Sequence, residues 1–264
     1  MSRRLMAGTG WKMNHDRTAT RAYAKKLLAK LRGTDSRAID LFVLPPFTSL
    51  AAAEAGFARS AVSIGGQNMH WAEAGAWTGE ISAAMLAESG CRYVELAHSE
   101  RLQCCGETYE QVRLKVNAAL AGGLMPILCL GETAGEKRTG KSDQVLTHQI
   151  ETALGDLSAA ALPRVVLAYE PRWAIGAKSA APVDYVEARH RQLRAVLAQR
   201  WGRRAANATR IIYGGSVSAE NGPELIRQPN VDGLFVGRSA WTPEGFAQIV
   251  QIVAAAAATK EKLP

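Results

Sequence analysis

The sequence predicts an α/β protein built as a single closed (β/α)₈ barrel, and three observations carry the prediction. Short apolar runs alternate with helix-period segments along the whole chain, the pattern of repeated βα units around a parallel sheet. The strand segments are apolar on both faces, as strands between a barrel interior and a helical layer must be. The chain has 264 residues, close to the roughly 250 that one such barrel uses. No linker-like composition divides residues 1–264, so one domain is expected. Closure leaves no sheet edge to protect, which favours it over an open doubly wound sheet.

The elements follow in order. The first strand, Leu5–Gly8, leads into Trp11-Lys-Met-Asn14, and a lysine just past a buried strand points into the barrel mouth. The second and third strands are Leu41–Leu44 and Val62–Gly65. After the third comes Gly75-Ala-Trp-Thr-Gly79, an apolar-tipped loop whose Trp77 would be exposed on a monomer. The fourth strand, Tyr93–Ala97, delivers His98-Ser-Glu-Arg101, and the fifth is Met125–Leu130. The sixth, Val165–Tyr169, ends at Glu170. There Pro171 fixes its own φ and restricts Glu170 to extended geometry. Val183, Val186, Leu193, Val196 and Leu197 mark the buried face of the following helix. The seventh strand, Arg210–Tyr213, opens into Gly214-Gly-Ser-Val217, and the eighth, Gly233–Val236, into Gly237-Arg-Ser239. The last helix carries Phe246, Ile249, Val250 and Val253 at i, i+3, i+4 and i+7.

Composition narrows the function. An apolar content of 47% with 21% charge is that of a soluble globular protein. The net charge of +8 suits an anionic partner, but Arg and Lys are spread over predicted helices rather than interleaved with aromatics, which argues against nucleic acid. The densest basic group, Arg200-Trp-Gly-Arg-Arg204, reads as a solvated helix end. Cys91, Cys104, Cys105 and Cys129 lack CxxC spacing and read as reduced thiols, and the histidines lack ligand spacing, so no metal site is expected. No run approaches the ~18 apolar residues of a membrane span, and the first residues lack a signal-like stretch. A cytoplasmic, soluble protein is expected.

Chemistry in such a barrel sits where strands end. The Gly-rich turns after the seventh and eighth strands can converge their backbone N–H groups on an anion, which makes a phosphate cradle. Lys12, His98 and Glu170 on three other strand ends suit proton abstraction next to a carbonyl. Glu170 is the candidate base. His98, near a helix start that disfavours extra charge, donates from a neutral ring. Lys12 supplies fixed positive charge to a developing enediolate.

With these residues in place, the chain resembles the triosephosphate isomerase family over essentially its whole length. The matching segments are Trp11-Lys-Met-Asn14, Gln67-Asn68, Thr78-Gly-Glu-Ile-Ser82, His98-Ser-Glu-Arg101, Cys129-Leu-Gly-Glu132, Ala168-Tyr-Glu-Pro171, Trp173-Ala-Ile-Gly176 and Tyr213-Gly-Gly-Ser-Val217. The resemblance implies a TIM barrel with Glu170 as base, His98 as electrophile and Lys12 as substrate-binding cation. It further implies Glu100 as the partner of Lys12, Cys129 beside the site, and backbone phosphate contacts at Gly176, Ser216, Gly237 and Arg238. Thr78 would reach into a neighbouring subunit, implying a homodimer. A small phosphorylated sugar is the implied substrate, with no cofactor, metal or membrane partner.

Three departures from the family pattern bear on substrate. Gly10 stands where the family has an asparagine that touches the substrate, and Arg238 where it has the second of two glycines. The loop Ala174-Ile-Gly-Ala-Lys-Ser-Ala180 is one residue shorter than usual, and Arg172 replaces a residue that is usually apolar. Gly10 together with Gly-Arg-Ser-Ala-Trp241 is similar to the branch that isomerises tetrulose phosphates in erythritol breakdown. L-erythrulose 1-phosphate and D-erythrulose 4-phosphate are therefore the expected pair. The alternative is triosephosphate isomerase activity proper, within glycolysis and gluconeogenesis; a more remote one is an inactive barrel that senses a phosphorylated metabolite.

Overall fold

The computed structural model describes residues 3–176 and 180–260 of the chain. Eight parallel strands close into a barrel in sequence order. They are β1 (Met6–Gly10), β2 (Asp40–Leu44), β3 (Val62–Gly66), β4 (Cys91–Leu96), β5 (Met125–Leu130), β6 (Val166–Tyr169), β7 (Arg210–Tyr213) and β8 (Gly233–Val236). The ring is completed where Met6 through Thr9 of β1 pair with Gly233 through Val236 of β8. Helices fill the connections, the longest being Val183–Trp201 and Pro243–Lys260. Among the described residues no helix is long and apolar enough to cross a membrane.

The strands β5, β7 and β8 run as the sequence predicts, and the other boundaries move for local reasons. β1 extends to Gly10 because Thr9 and Gly10 stay in register with Val43 and Leu44. β2 and β3 each gain a residue, Asp40 and Gly66. β4 starts earlier, at Cys91, and stops at Leu96, since Ala97 takes a φ of 62° and turns the chain out of the sheet. Val165 closes the short turn Leu162–Arg164, so β6 begins one residue later than predicted.

Alternation along each strand divides the core into two layers. Met6, Phe42, Leu44, Tyr93, Ile127, Val166, Ile212 and Phe235 fill the barrel interior. Leu41, Val43, Leu167 and Ile211 point outward against helical residues such as Leu27, Val186, Leu193 and Val250. Phe246, Ile249, Val250 and Val253 are buried together, as their spacing requires. At the N-terminal end of the barrel, Asp40 is paired with Arg210 and with Arg4 Nε at 2.8 Å, which plugs the interior with matched charge. The expectation of wholly apolar strands fails at β4. Glu95 stands on the inner face between Tyr93 and the rim and is only 6% exposed.

Candidate active site

The C-terminal mouth of the barrel holds a cavity of about 650 Å³. Lys12, Glu95, His98, Glu100 and Glu170 line it on one part, and Gly176, Gly214, Ser216, Gly237 and Arg238 on another, with Gly10 and Phe235 between them. The residues that sequence reasoning brought together are thus brought together by the fold. Cys129 is buried below Glu95, its Sγ 3.7 Å from Glu95 Oε1.

Glu170 follows β6 and keeps its backbone in the sheet, its N–H donating to the Leu130 carbonyl at 2.7 Å. Two glycines make room for it. A Cβ on Gly131 would lie 1.9 Å from the Glu170 carbonyl oxygen, and a Cβ on Gly214 would lie 2.4 Å from Oε1 of its carboxylate. The carboxylate is buried, and Oε2 accepts no hydrogen bond among the described residues. Burial, and next the charge of Glu95, raise the Glu170 pKa well above the ordinary carboxylate range. Just past it, Glu132 is fully buried and accepts from Tyr169 Oη, Trp173 Nε1 and Tyr185 Oη, the last two at 2.8 Å. That anchor fixes the start of the following loop.

His98 faces Glu170 across the cavity, its Nε2 lying 3.7 Å from Glu170 Oε2. Its Nδ1 accepts the Glu100 backbone N–H at 3.1 Å. In the neutral ring the proton therefore belongs on Nε2, the atom turned toward Glu170. Burial, then the nearby Lys12 charge, push its pKa down to about 4, so the ring is neutral at physiological pH. Lys12 sits in left-handed backbone geometry, with φ of 54°. Gln67 Nε2 holds that turn by donating to the Lys12 and Leu44 carbonyls, both at 2.9 Å, while Lys12 Nζ pairs with Glu100 Oε1.

On the side of the glycine-rich turns, Gly176 adopts φ of 67°, and a Cβ on either Gly176 or Gly237 would meet no atom within 4 Å. The space in front of both is open. Ser216 Oγ donates to the Ala174 carbonyl at 2.6 Å, tying the seventh rim to the sixth. Arg238 is exposed at the cavity edge. Arg172 lies outside the cavity, with its charge near Tyr109. Of the shortened loop 174–180, residues 177–179 lie outside the described residues.

Gly10 lines the cavity and keeps its corner free of a side chain. A Cβ there would stand 3.5 Å from the Phe235 ring and 3.7 Å from Glu95 Oε2. Trp241 Nε1 donates to the Gly10 carbonyl at 3.2 Å, so the departures on the first and eighth rims are in contact. Sequence reading missed Glu95. The available signal was the one charge within the predicted strand Tyr93–Ala97, whose other members are apolar or aromatic.

Glu95, His98 and Glu170 offer ligand atoms within 4.8 Å of one another, a geometry that would also suit a metal ion. Expectation set no metal here, and the histidine spacing gave no sign of this cluster. Thr78 and Trp77 lie away from the cavity on an exposed loop, where Trp77 is 48% exposed and packs on His70 with ring centroids 4.1 Å apart.

Comparison with known proteins follows the same lines. A family model described as triosephosphate isomerase matches residues 5–253. A Rhizobium meliloti protein named L-erythrulose-1-phosphate isomerase is 45% identical over 254 residues, which are 96% of this chain and 98% of the relative. A Brucella abortus protein of the same name is 44% identical over 245 residues, 92% of this chain and 94% of its own. The crystal structure of triosephosphate isomerase from Bartonella henselae matches with a TM-score of 0.84 at 32% identity, covering 94% of this chain and 98% of that one.

The buried carboxylates make stability depend on pH. Glu95 is raised from 4.5 to about 7, chiefly by burial, against the lowering effect of Lys12. A raised folded-state pKa gives stability that is complete below the unfolded value of 4.5 and lost as pH rises through about 7. Glu95→Gln, which cannot ionise, should therefore gain on the wild type by on the order of 3 kcal/mol between pH 5 and pH 8.5. Denaturant unfolding at both pH values measures the gap, and a gap that does not change with pH contradicts the assignment.

Proposed function

The chain belongs to the triosephosphate isomerase family and is a sugar-phosphate isomerase, and on that premise we propose that it interconverts L-erythrulose 1-phosphate and D-erythrulose 4-phosphate through an enediolate. The observation that carries the reaction type is the buried Glu170 carboxylate facing a neutral imidazole across 3.7 Å. The four-carbon substrate is supported by Gly10 and by the names of the relatives from Rhizobium meliloti and Brucella abortus.

In this reading the phosphate docks against the backbone of Gly176, Ser216, Gly237 and Arg238. Glu170 removes the proton from C3, next to the C2 ketone of the 1-phosphate, and the electron pair moves into the C2 carbonyl. The Nε2–H of His98 hydrogen-bonds the oxygen as charge builds on it. Lys12, steadied by Glu100, adds positive charge in a site with little water to screen it. Glu170 then returns a proton to C2 while His98 moves the hydroxyl proton between the two oxygens, leaving the ketone on C3. The two carbons exchange oxidation state, so no external oxidant or reductant enters. Dihydroxyacetone phosphate, which lacks the fourth carbon, is the second reading, supported by the structural likeness to the Bartonella henselae enzyme.

A substrate panel tests the choice. The expected result is a higher kcat/KM for L-erythrulose 1-phosphate than for dihydroxyacetone phosphate, with Gly10→Asn shifting the ratio toward the triose. The reverse preference in the wild type sinks the four-carbon reading.

The enzyme is further proposed to work in the cytoplasm as a homodimer of single-domain subunits, residues 1–264. Residues 73–80 are all exposed, and Trp77 among them presents an indole to solvent. Burying that loop in a second copy removes the exposure. Light scattering at micromolar concentration should give twice the 28.3 kDa chain mass, and Trp77→Ala should weaken the dimer; a monomer mass for the wild type rules it out.

A further inference from the structure

Glu95 has no part in the proton transfers described above, yet the fold spends a buried carboxylate on it. It lies within β4, three residues before His98, and lines the cavity while only 6% exposed. Among the described residues it forms no ion pair and accepts one long hydrogen bond, from the Cys129 thiol at 3.7 Å. A buried carboxylate so poorly satisfied is costly unless something else supplies a donor.

Its position indicates what that donor is. Glu95 and Phe235 belong to strands, whereas Gly176, Ser216, Gly237 and Arg238 lie beyond strand ends. Glu95 and Phe235 therefore form the floor of the cavity, and the phosphate side is at its mouth. The oxygen of Glu95 that does not meet Cys129, Oε2, stands 3.7 Å from where a Cβ on Gly10 would be, and the Phe235 ring 3.5 Å from the same point. That corner thus offers a carboxylate oxygen and an aromatic surface side by side, kept free of a side chain by Gly10. It also adjoins the reacting centre, since Glu95 has an oxygen within 4.8 Å of a ligand atom of both His98 and Glu170.

We propose that Glu95 recognises the fourth carbon of the substrate: its carboxylate accepts a hydrogen bond from the terminal hydroxyl, while the methylene packs on Phe235 in the space Gly10 leaves. The proposal rests on the four-carbon reading of the same site. It explains why the barrel interior carries a charge just beneath the rim, far from the Asp40–Arg210 pairing at the opposite end. It also gives Gly10 a role, because an asparagine side chain there would occupy the corner that the hydroxymethyl arm enters. A site built to bond a hydroxyl discriminates against analogues that lack it, since the buried group is then left unpaired.

The test uses the intact enzyme, L-erythrulose 1-phosphate as substrate, and 2-phosphoglycolate, a two-carbon anion with a phosphate and no hydroxymethyl arm, as binding probe. Glu95→Leu is expected to lower kcat/KM for the tetrulose phosphate by about 10- to 100-fold. It should not weaken 2-phosphoglycolate, because an anion without the arm loses only a like charge nearby. Glu95→Gln keeps the shape and one acceptor oxygen, so it should show the same split with a loss of roughly 3- to 10-fold, and it carries the test if the leucine variant does not fold. Retained tetrulose turnover in the variants, or a parallel loss of 2-phosphoglycolate affinity, overturns the role of Glu95 alone. A wild type inactive on the tetrulose phosphate overturns the substrate reading and this proposal with it.

Discussion

The constraint on which the site depends is the burial of the Glu170 carboxylate. A carboxylate removed from water holds its proton more tightly, which makes it a stronger base once ionised. The surrounding structure is arranged to keep it there. Pro171 follows it, Gly131 and Gly214 clear the space for its backbone and side chain, and Glu132 anchors Trp173 just beyond it. The closed barrel is what lets one strand end project a side chain over a packed interior rather than into solvent.

The remaining charges are set relative to that group. Burial first and the Lys12 charge next keep the His98 imidazole neutral, while Lys12 works against burial by favouring the ionised form of both inner carboxylates. Glu95 acts on Glu170 in the opposite sense, and their like charges raise one another's cost of ionisation.

Most of the barrel was legible because its signals are local and repeated. Alternating apolar runs and helix-period stripes located all eight strands, and the errors fall at strand ends, where register with a neighbour or a single left-handed residue such as Ala97 decides the boundary. Lys12, His98 and Glu170 stood out because each lies within a few residues past the end of a strand. Glu95 did not, since it lies inside one, and only the closed sheet turns that position toward the cavity. The contact between Gly10 and Trp241 joins residues 231 positions apart, which no local pattern records. Arg172, marked in the sequence only as a change from an apolar residue, lies outside the cavity near Tyr109.

The central claim is that a single carboxylate moves a carbon-bound proton by way of an enediolate, and the most direct measurement is conversion of L-erythrulose 1-phosphate in D₂O followed by proton NMR. The account predicts deuterium at C3 of the D-erythrulose 4-phosphate formed, the former C2, with the rate of its appearance lowered by about 10²–10⁴-fold in Glu170→Gln. Turnover or exchange that survives in Glu170→Gln at the wild-type rate would contradict it.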